Sequence, residues 1–336
     1  MIDIGSHLEP DGEMPQTEIW AELEPVAEEL LAAHVKRADG LPTDDDEFPK
    51  RWYAHELLPR ELWTSENDLS EAELPIGIAS ALYVNLLTED NLPHYSVDTR
   101  MISGVDGALG EWAGRWLAEE QRHSYLIRSY LHATKLIDER HLEDGRMAQV
   151  ARGEVPEPET TMQGIAYVTI QELATRIAHR NTGNTLSDWL ESTPEQETGI
   201  AAKVGRSVMQ RVAKDENLHY LFYRGMADHL LENHPNEFMV AVNQVIRGFE
   251  MPGTGIPDFE HHKALIAGTG IYNARIFHDE VLDPIINKHW KLDRVDGLDE
   301  AGERAQSRLH RRLELLEKRA DSIDEQAAEY VESIGA

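Results

Sequence analysis

Two stretches decide the fold: Trp112-Ala113-Gly114-Arg115-Trp116-Leu117-Ala118-Glu119-Glu120-Gln121-Arg122-His123, and Val208-Met209-Gln210-Arg211-Val212-Ala213-Lys214-Asp215-Glu216-Asn217-Leu218-His219. In each, apolar residues recur every three or four positions, as in an amphipathic helix, and a Glu-x-x-His follows on the same face. Glu120 comes after Trp112, Trp116 and Leu117, and Glu216 after Val208, Met209 and Val212. Two other segments carry a glutamate in the same setting: Glu89 behind Leu82 and Leu86, and Glu172 behind Ile165 and Val168. An ionised carboxylate on a core face is costly unless a cation or a buried base faces it. Arg122 and Arg176 are the nearest basic side chains that would serve as simple ion-pair partners.

Glu-x-x-His is a weak signal alone; the order of all six residues is what carries weight. Glu89, then Glu120 with His123, then Glu172, then Glu216 with His219 is one glutamate followed by a Glu-x-x-His, twice over. Residues three apart on a helix can grip one ion together, and a carboxylate can bridge two ions. One glutamate from each of two helices plus Glu-x-x-His from each of two others is the pattern of carboxylate-bridged di-iron and di-manganese bundles.

Composition narrows the possible functions. The 336 residues, 41% of them hydrophobic, are enough for a sizeable core, and the absence of cysteine excludes disulfides, zinc-thiolate and iron-sulfur sites. A formal net charge of -30 argues against nucleic acid or anionic membranes as partners. No apolar run is long enough for a membrane span, and Met1-Ile2-Asp3 does not open an export signal, so a cytoplasmic location is expected.

Glycine and proline gather at residues 38–49, 152–159 and 251–257, and between these breaks the pattern is helical. Helices are expected from Ser70, with Glu73 completing a capping box, to about Leu92, and over roughly 107–136, 161–179, 195–233, 235–249, 260–290 and 298–334. No segment reads as a strand. The organisation expected is an acidic N-terminal segment with one helix (1–50), the metal-binding bundle (51–290) and a charged C-terminal helix or arm (291–336).

Four blocks resemble the soluble acyl-acyl-carrier-protein desaturases, especially their actinobacterial branch: Leu87-Thr88-Glu89-Asp90-Asn91-Leu92-Pro93, Ala118-Glu119-Glu120-Gln121-Arg122-His123, Gln171-Glu172-Leu173-Ala174-Thr175 and Asp215-Glu216-Asn217-Leu218-His219. The likeness spans about Trp52 to Asp283. It implies an all-α, ferritin-like bundle with a four-helix di-iron core and peripheral helices. It also implies a homodimer with two Fe ions per chain, manganese being the other metal the ligands suit. The activity implied is oxygen-dependent desaturation of an acyl chain on acyl carrier protein, with electrons from a ferredoxin-type donor. Carried over residue by residue, the metal ligands are Glu89, Glu120, His123, Glu172, Glu216 and His219. Thr175 matches a threonine beside the oxygen-binding side of the cluster, and Trp52 and Asp215 match residues proposed to pass electrons. For Trp52 simple packing, and for Asp215 the fixing of a ligand histidine, remain open. Where the family commonly reads Glu-Glu-Asn-Arg-His-Gly, this chain has Gln121 and Ser124.

The ribonucleotide reductase small subunit shares such a centre, but its radical tyrosine would fall at Ile127. Iron storage, and a desaturase-like binding protein without turnover, are two further functions the same residues could serve. Since carrier proteins are acidic, docking requires a local basic patch. Lys203, Arg206, Arg211 and Lys214 are the first candidate, followed by Lys135, Arg140, Arg308, Arg311 and Arg312.

Overall fold

The computed structural model describes residues 16–38, 52–96, 106–155, 158–192, 199–253 and 255–335, and no strand occurs among them. The helices are α1 (Gln16–Ala38), a single turn α2 (Ala54–Leu57), α3 (Ile76–Glu89), α4 (Gly107–Thr134), α5 (Glu139–Arg152), α6 (Thr161–Ser192), α7 (Ala201–Asn233), α8 (Pro235–Arg247), α9 (Phe259–Gly268) and α11 (Glu300–Ser333). Between the last two, α10 opens at Ala274–Ile276 and continues as a π-helical stretch over Phe277–His289.

Four long helices, α3, α4, α6 and α7, form the centre, and their apolar faces supply two clusters of buried side chains. On α4 the changeover from one cluster to the other falls between Trp116 and Leu126, and on α7 between Val212 and Tyr220. The buried polar residues sit in that gap. Helices α6 and α7 lie close along their length because Gly183, in mid-helix, leaves room: a Cβ there would come within 2.6 Å of the Met209 Cβ. The expected end at His179 is therefore wrong; Asn181-Thr182-Gly183 continue the helix, since the tight packing compensates glycine's poor helix propensity.

Other boundaries also differ. The Ser70-Glu73 capping box does not form: the Ser70 amide bonds the Asp68 carboxylate at 3.1 Å, and α3 starts at Ile76 with Pro75 as its N-cap. Proline lacks an amide donor and disfavours helix in the residue before it, so a helix cannot run through Leu74-Pro75. The helix expected over 260–290 is broken by Thr269 and by Gly270, whose φ is +74°. Helix α5 has no counterpart in the sequence pattern: it buries only Leu142, Gly145 and Gln149 and offers no apolar stripe to read.

Helix α1 is tied into the bundle at several points. Ile19, Leu23, Ala27 and Leu31, spaced by four, are buried on its inner face. Glu24 bonds the first free amides of α4, at Ala108 and at Leu109 (3.3 Å), a favourable place for a carboxylate at a helix N-terminus. Glu22 pairs with His229 and His234, at 2.7 and 2.8 Å, near the end of α7. Helix α11 buries Ala305, Leu309, Leu313, Ala320 and Val331, and packs on α8, α9 and α10.

Candidate metal centre

Glu89 lies in the last turn of α3, Glu120 and His123 on α4, Glu172 on α6, and Glu216 and His219 on α7. All six are buried, and they meet in two groups whose ligand atoms lie within 4.8 Å of one another: Glu89, Glu120, His123 and Glu216, and Glu120, Glu172, Glu216 and His219. Glu120 and Glu216 belong to both. The oxygens of Glu120 face the two histidines separately, Oε2 at 3.3 Å from His123 Nδ1 and Oε1 at 3.0 Å from His219 Nδ1. Glu216 does the same at 3.2 and 3.9 Å. Glu89 reaches His123 Nδ1 at 3.5 Å and Glu172 reaches His219 Nδ1 at 3.5 Å.

The electrostatics show how much negative charge converges here. Burial, and then the charge of Glu216, push the Glu172 carboxyl well above the usual carboxylate range. Burial and the charge of Glu120 oppose ionisation of Glu216 too, but His123 and a hydrogen bond with Glu172 hold it low, so the pair shares the strain unequally. Burial likewise opposes charging of His123 and His219, yet their carboxylate neighbours push both well above the usual imidazole range. Among the described residues, no donor meets Glu172 Oε2 with hydrogen-bond geometry. An oxygen-and-nitrogen donor set with excess negative charge and unused lone pairs fits divalent iron or manganese.

Each histidine is fixed from behind. His123 Nε2 faces Asp215 Oδ2 at 3.4 Å, the Trp52 indole N–H donates to that same oxygen at 2.7 Å, and Arg211 holds Oδ1 at 2.5 Å. The Arg122 and Arg211 guanidinium carbons lie 4.9 and 4.8 Å from the Trp52 ring centre. On the other side His219 Nε2 lies 3.0 Å from Glu119 Oε2. Sequence reasoning passes over Glu119, since its neighbour Glu120 explains the same block. Its place three residues before Arg122 and four after Arg115 is the available signal, and both arginines bind it, at 3.3 and 2.9 Å. Arg122 thus binds Glu119. His179, equally inconspicuous in the sequence, holds Glu89 Oε1 at 2.8 Å from one turn beyond Thr175. The Trp116 indole donates to Glu172 Oε1 at 3.0 Å.

The Thr175 hydroxyl lies 3.1 Å from Glu216 Oε2 and equally near the Gln171 and Glu172 carbonyls. Its single proton can serve only one of these acceptors at a time. Gln121 points to solvent, whereas buried Ser124 donates to Asp90, which also binds Arg146. Of the two departures from the family block, only Ser124 touches the interior.

Helical bundles with facing carboxylate-histidine groups in the core form the ferritin-like di-metal class. The chain belongs to the fatty acid desaturase family, whose model matches residues 15–334. DesA1 of Mycobacterium tuberculosis, described as an acyl-[acyl-carrier-protein] desaturase, is 32% identical over 318 residues, covering 90% of this chain and 86% of that protein. The chloroplastic stearoyl-[acyl-carrier-protein] 9-desaturase of Simmondsia chinensis is 27% identical over 344 residues, covering 95% of this chain and 81% of that one. The X-ray structure of DesA2 from M. tuberculosis H37Rv shares the fold, with a TM-score of 0.58 at 20% identity over 86% of this chain and 99% of that one. No helix among the described residues is long and apolar enough to cross a membrane.

Proposed function

We propose that the chain is an oxygen-dependent acyl-[acyl-carrier-protein] desaturase that holds two iron ions and places a cis double bond in a carrier-bound fatty acyl chain. The observation that carries this is the position of Glu120 and Glu216, each facing both histidines with separate oxygens. Glu89 and His123 would complete one ion's ligands, Glu172 and His219 the other's. A saturated methylene offers no acidic proton, so acid-base residues alone cannot attack it; the oxidising power would come from oxygen chemistry at two redox-active ions held by these residues. The buried setting excludes water from that chemistry. Asp215 and Glu119 keep each histidine's Nδ1 aimed inward, and Thr175 offers a hydroxyl proton at Glu216 Oε2.

Trp52, in contact with Asp215 and bracketed by Arg122 and Arg211, is the entry we assign to electrons from a ferredoxin-type donor. A homodimer in the cytoplasm completes the reading. At Ile127, fully buried, there is no tyrosine to carry a radical, which disfavours a reductase subunit. The test of the whole reading is turnover: iron-loaded protein, a reducing system and saturated acyl carriers of several lengths, with products weighed by mass spectrometry. Oxygen-dependent loss of two hydrogens from at least one carrier-bound chain is expected; iron-loaded protein inert toward every length contradicts desaturation and favours a binding role.

Thr175→Val keeps the shape and removes the hydroxyl, and the stability cost is about 1 kcal/mol. Metal content is expected to stay at the wild-type level while product formed per oxygen consumed falls. Unchanged coupling would leave Thr175 a packing role.

For the carrier, the stretch from Lys203 to Lys214 is weaker than its sequence suggests. Arg206 is taken by Asp188 at 2.6 Å and Arg211 by Asp215. A better face lies where α8 meets α11. Arg312 binds the Asn243 carbonyl at 3.2 Å, and burial with the charges of Arg247 and Arg308 holds its guanidinium below the usual range. Arg247, Arg308 and Arg311 are exposed beside it, in a chain of net charge -30. Combined Arg308→Glu and Arg311→Glu is expected to weaken carrier binding on the order of 10-fold at low salt, the difference shrinking as salt rises. Equal affinity for both proteins in a salt titration would place docking elsewhere.

A further inference from the structure

The support behind His219 has a feature the metal ligands do not account for. Helix α1 presents Ile19, Leu23, Ala27 and Leu31 to the core, and the next inward position is His34, 2% exposed. Its Nε2 lies 3.0 Å from Glu119 Oε2, the oxygen that also faces His219 Nε2. Against a carboxylate oxygen, a ring nitrogen can bond only by donating. Glu119 therefore takes two imidazole N–H groups on Oε2 and arginines on Oε1. The His34 ring packs edge-on to Trp112, with centroids 4.9 Å apart, and lies stacked 6.0 Å from the His219 ring.

The arrangement mirrors the support behind His123. There, Asp215 Oδ2 takes the ligand histidine and the Trp52 indole, while Oδ1 takes Arg211. In both, one carboxylate oxygen is shared by a candidate ligand and a second ring N–H, and the other oxygen is held by arginine. The two ends differ in kind: Trp52 lies between two guanidinium groups, whereas His34 is buried against Trp112.

A packing role alone does not explain a histidine here. Among the described residues the buried His34 Nδ1 has no hydrogen-bond partner, a cost that leucine on this otherwise apolar face would not carry. We infer that His34 is a positioning residue: through Glu119 it fixes the orientation of His219, so that α1 is part of the support of one metal position and not of the other. This rests on the reading of the six residues as a two-metal centre.

The test uses purified full-length protein stripped of metal and titrated with cobalt(II), followed by visible absorption, with thermal unfolding of the metal-free protein alongside. His34→Leu fills the space without the donor, and His34→Gln restores an N–H near the same place. Wild type should bind two cobalt ions. His34→Leu should weaken one of them by about 10- to 100-fold and leave the other near its wild-type affinity, with His34→Gln recovering part of the loss. If both ions bind His34→Leu as they bind wild type, or both weaken equally, the inference is overturned. Should His34→Leu not fold, His34→Met, which also lacks the donor, carries the test: one ion weakened relative to wild type with the other unchanged supports the inference, and wild-type binding at both overturns it. Wild-type protein that binds no cobalt would instead sink the metal centre itself.

Discussion

Glu216→Ala is expected to reduce bound iron from two ions per chain to well below one and to abolish turnover. The carboxylate belongs to both ligand groups and faces both histidines. Its loss takes one candidate ligand, and its negative charge, from both groups. The fold should survive, because alanine favours helix and Val208, Met209 and Val212 keep α7 packed. Glu120→Ala should behave the same way. The informative contrast is Glu89→Ala: Glu89 lies in one group only, so this variant should keep about one tightly held ion. Metal analysis and circular dichroism on the three variants check the pattern. Wild-type iron in both Glu216→Ala and Glu120→Ala would remove these residues from the ligand set.

Asp215→Asn should have the second largest effect, though it changes one atom. If the amide oxygen faces His123 and Trp52, the NH2 group meets Arg211, donor against donor; if the amide is turned, the NH2 group meets the imidazole and indole N–H groups. Neither orientation satisfies all three partners. The expected cost is about 1–3 kcal/mol in stability and about 10- to 100-fold in affinity for the ion beside His123. If Trp52 and Asp215 also conduct electrons, reduction of the iron-loaded variant by a protein donor should slow more than reduction by a small-molecule reductant. Unaltered affinity and unaltered reduction would reduce Asp215 to a buried partner of Arg211.

These residues differ in how plainly the amino-acid sequence reveals them. The six candidate ligands are legible because a helix turns apolar periodicity into facing, and a carboxylate on an apolar face asks for a cation. Glu119, His34 and His179 are not. Each meets a partner on another helix, His34 and His179 on one and Glu119 on two, and nothing in one sequence says that α1 reaches the centre. The start of α3 is misplaced when a Ser-x-x-Glu pattern is given more weight than the proline that follows it. The end of α6 is misplaced when glycine is taken as a terminator, whereas Gly183 is where α7 comes close. Helix α5 lacks the stripe that pattern reading depends on. The basic stretch before Asp215 looks free in the sequence because its acidic partners, Asp188 among them, lie on a different helix or one turn along the same one.

The most direct test of the account is where iron binds. Crystals of the wild-type protein prepared with ferrous iron under anaerobic conditions, measured at the iron absorption edge, should show two anomalous peaks per chain. One should lie among Glu89, Glu120, His123 and Glu216, and the other among Glu120, Glu172, Glu216 and His219. A fully iron-treated protein with no peak in this cluster, or with a single peak outside it, would contradict the two-metal centre and the oxygen chemistry built on it.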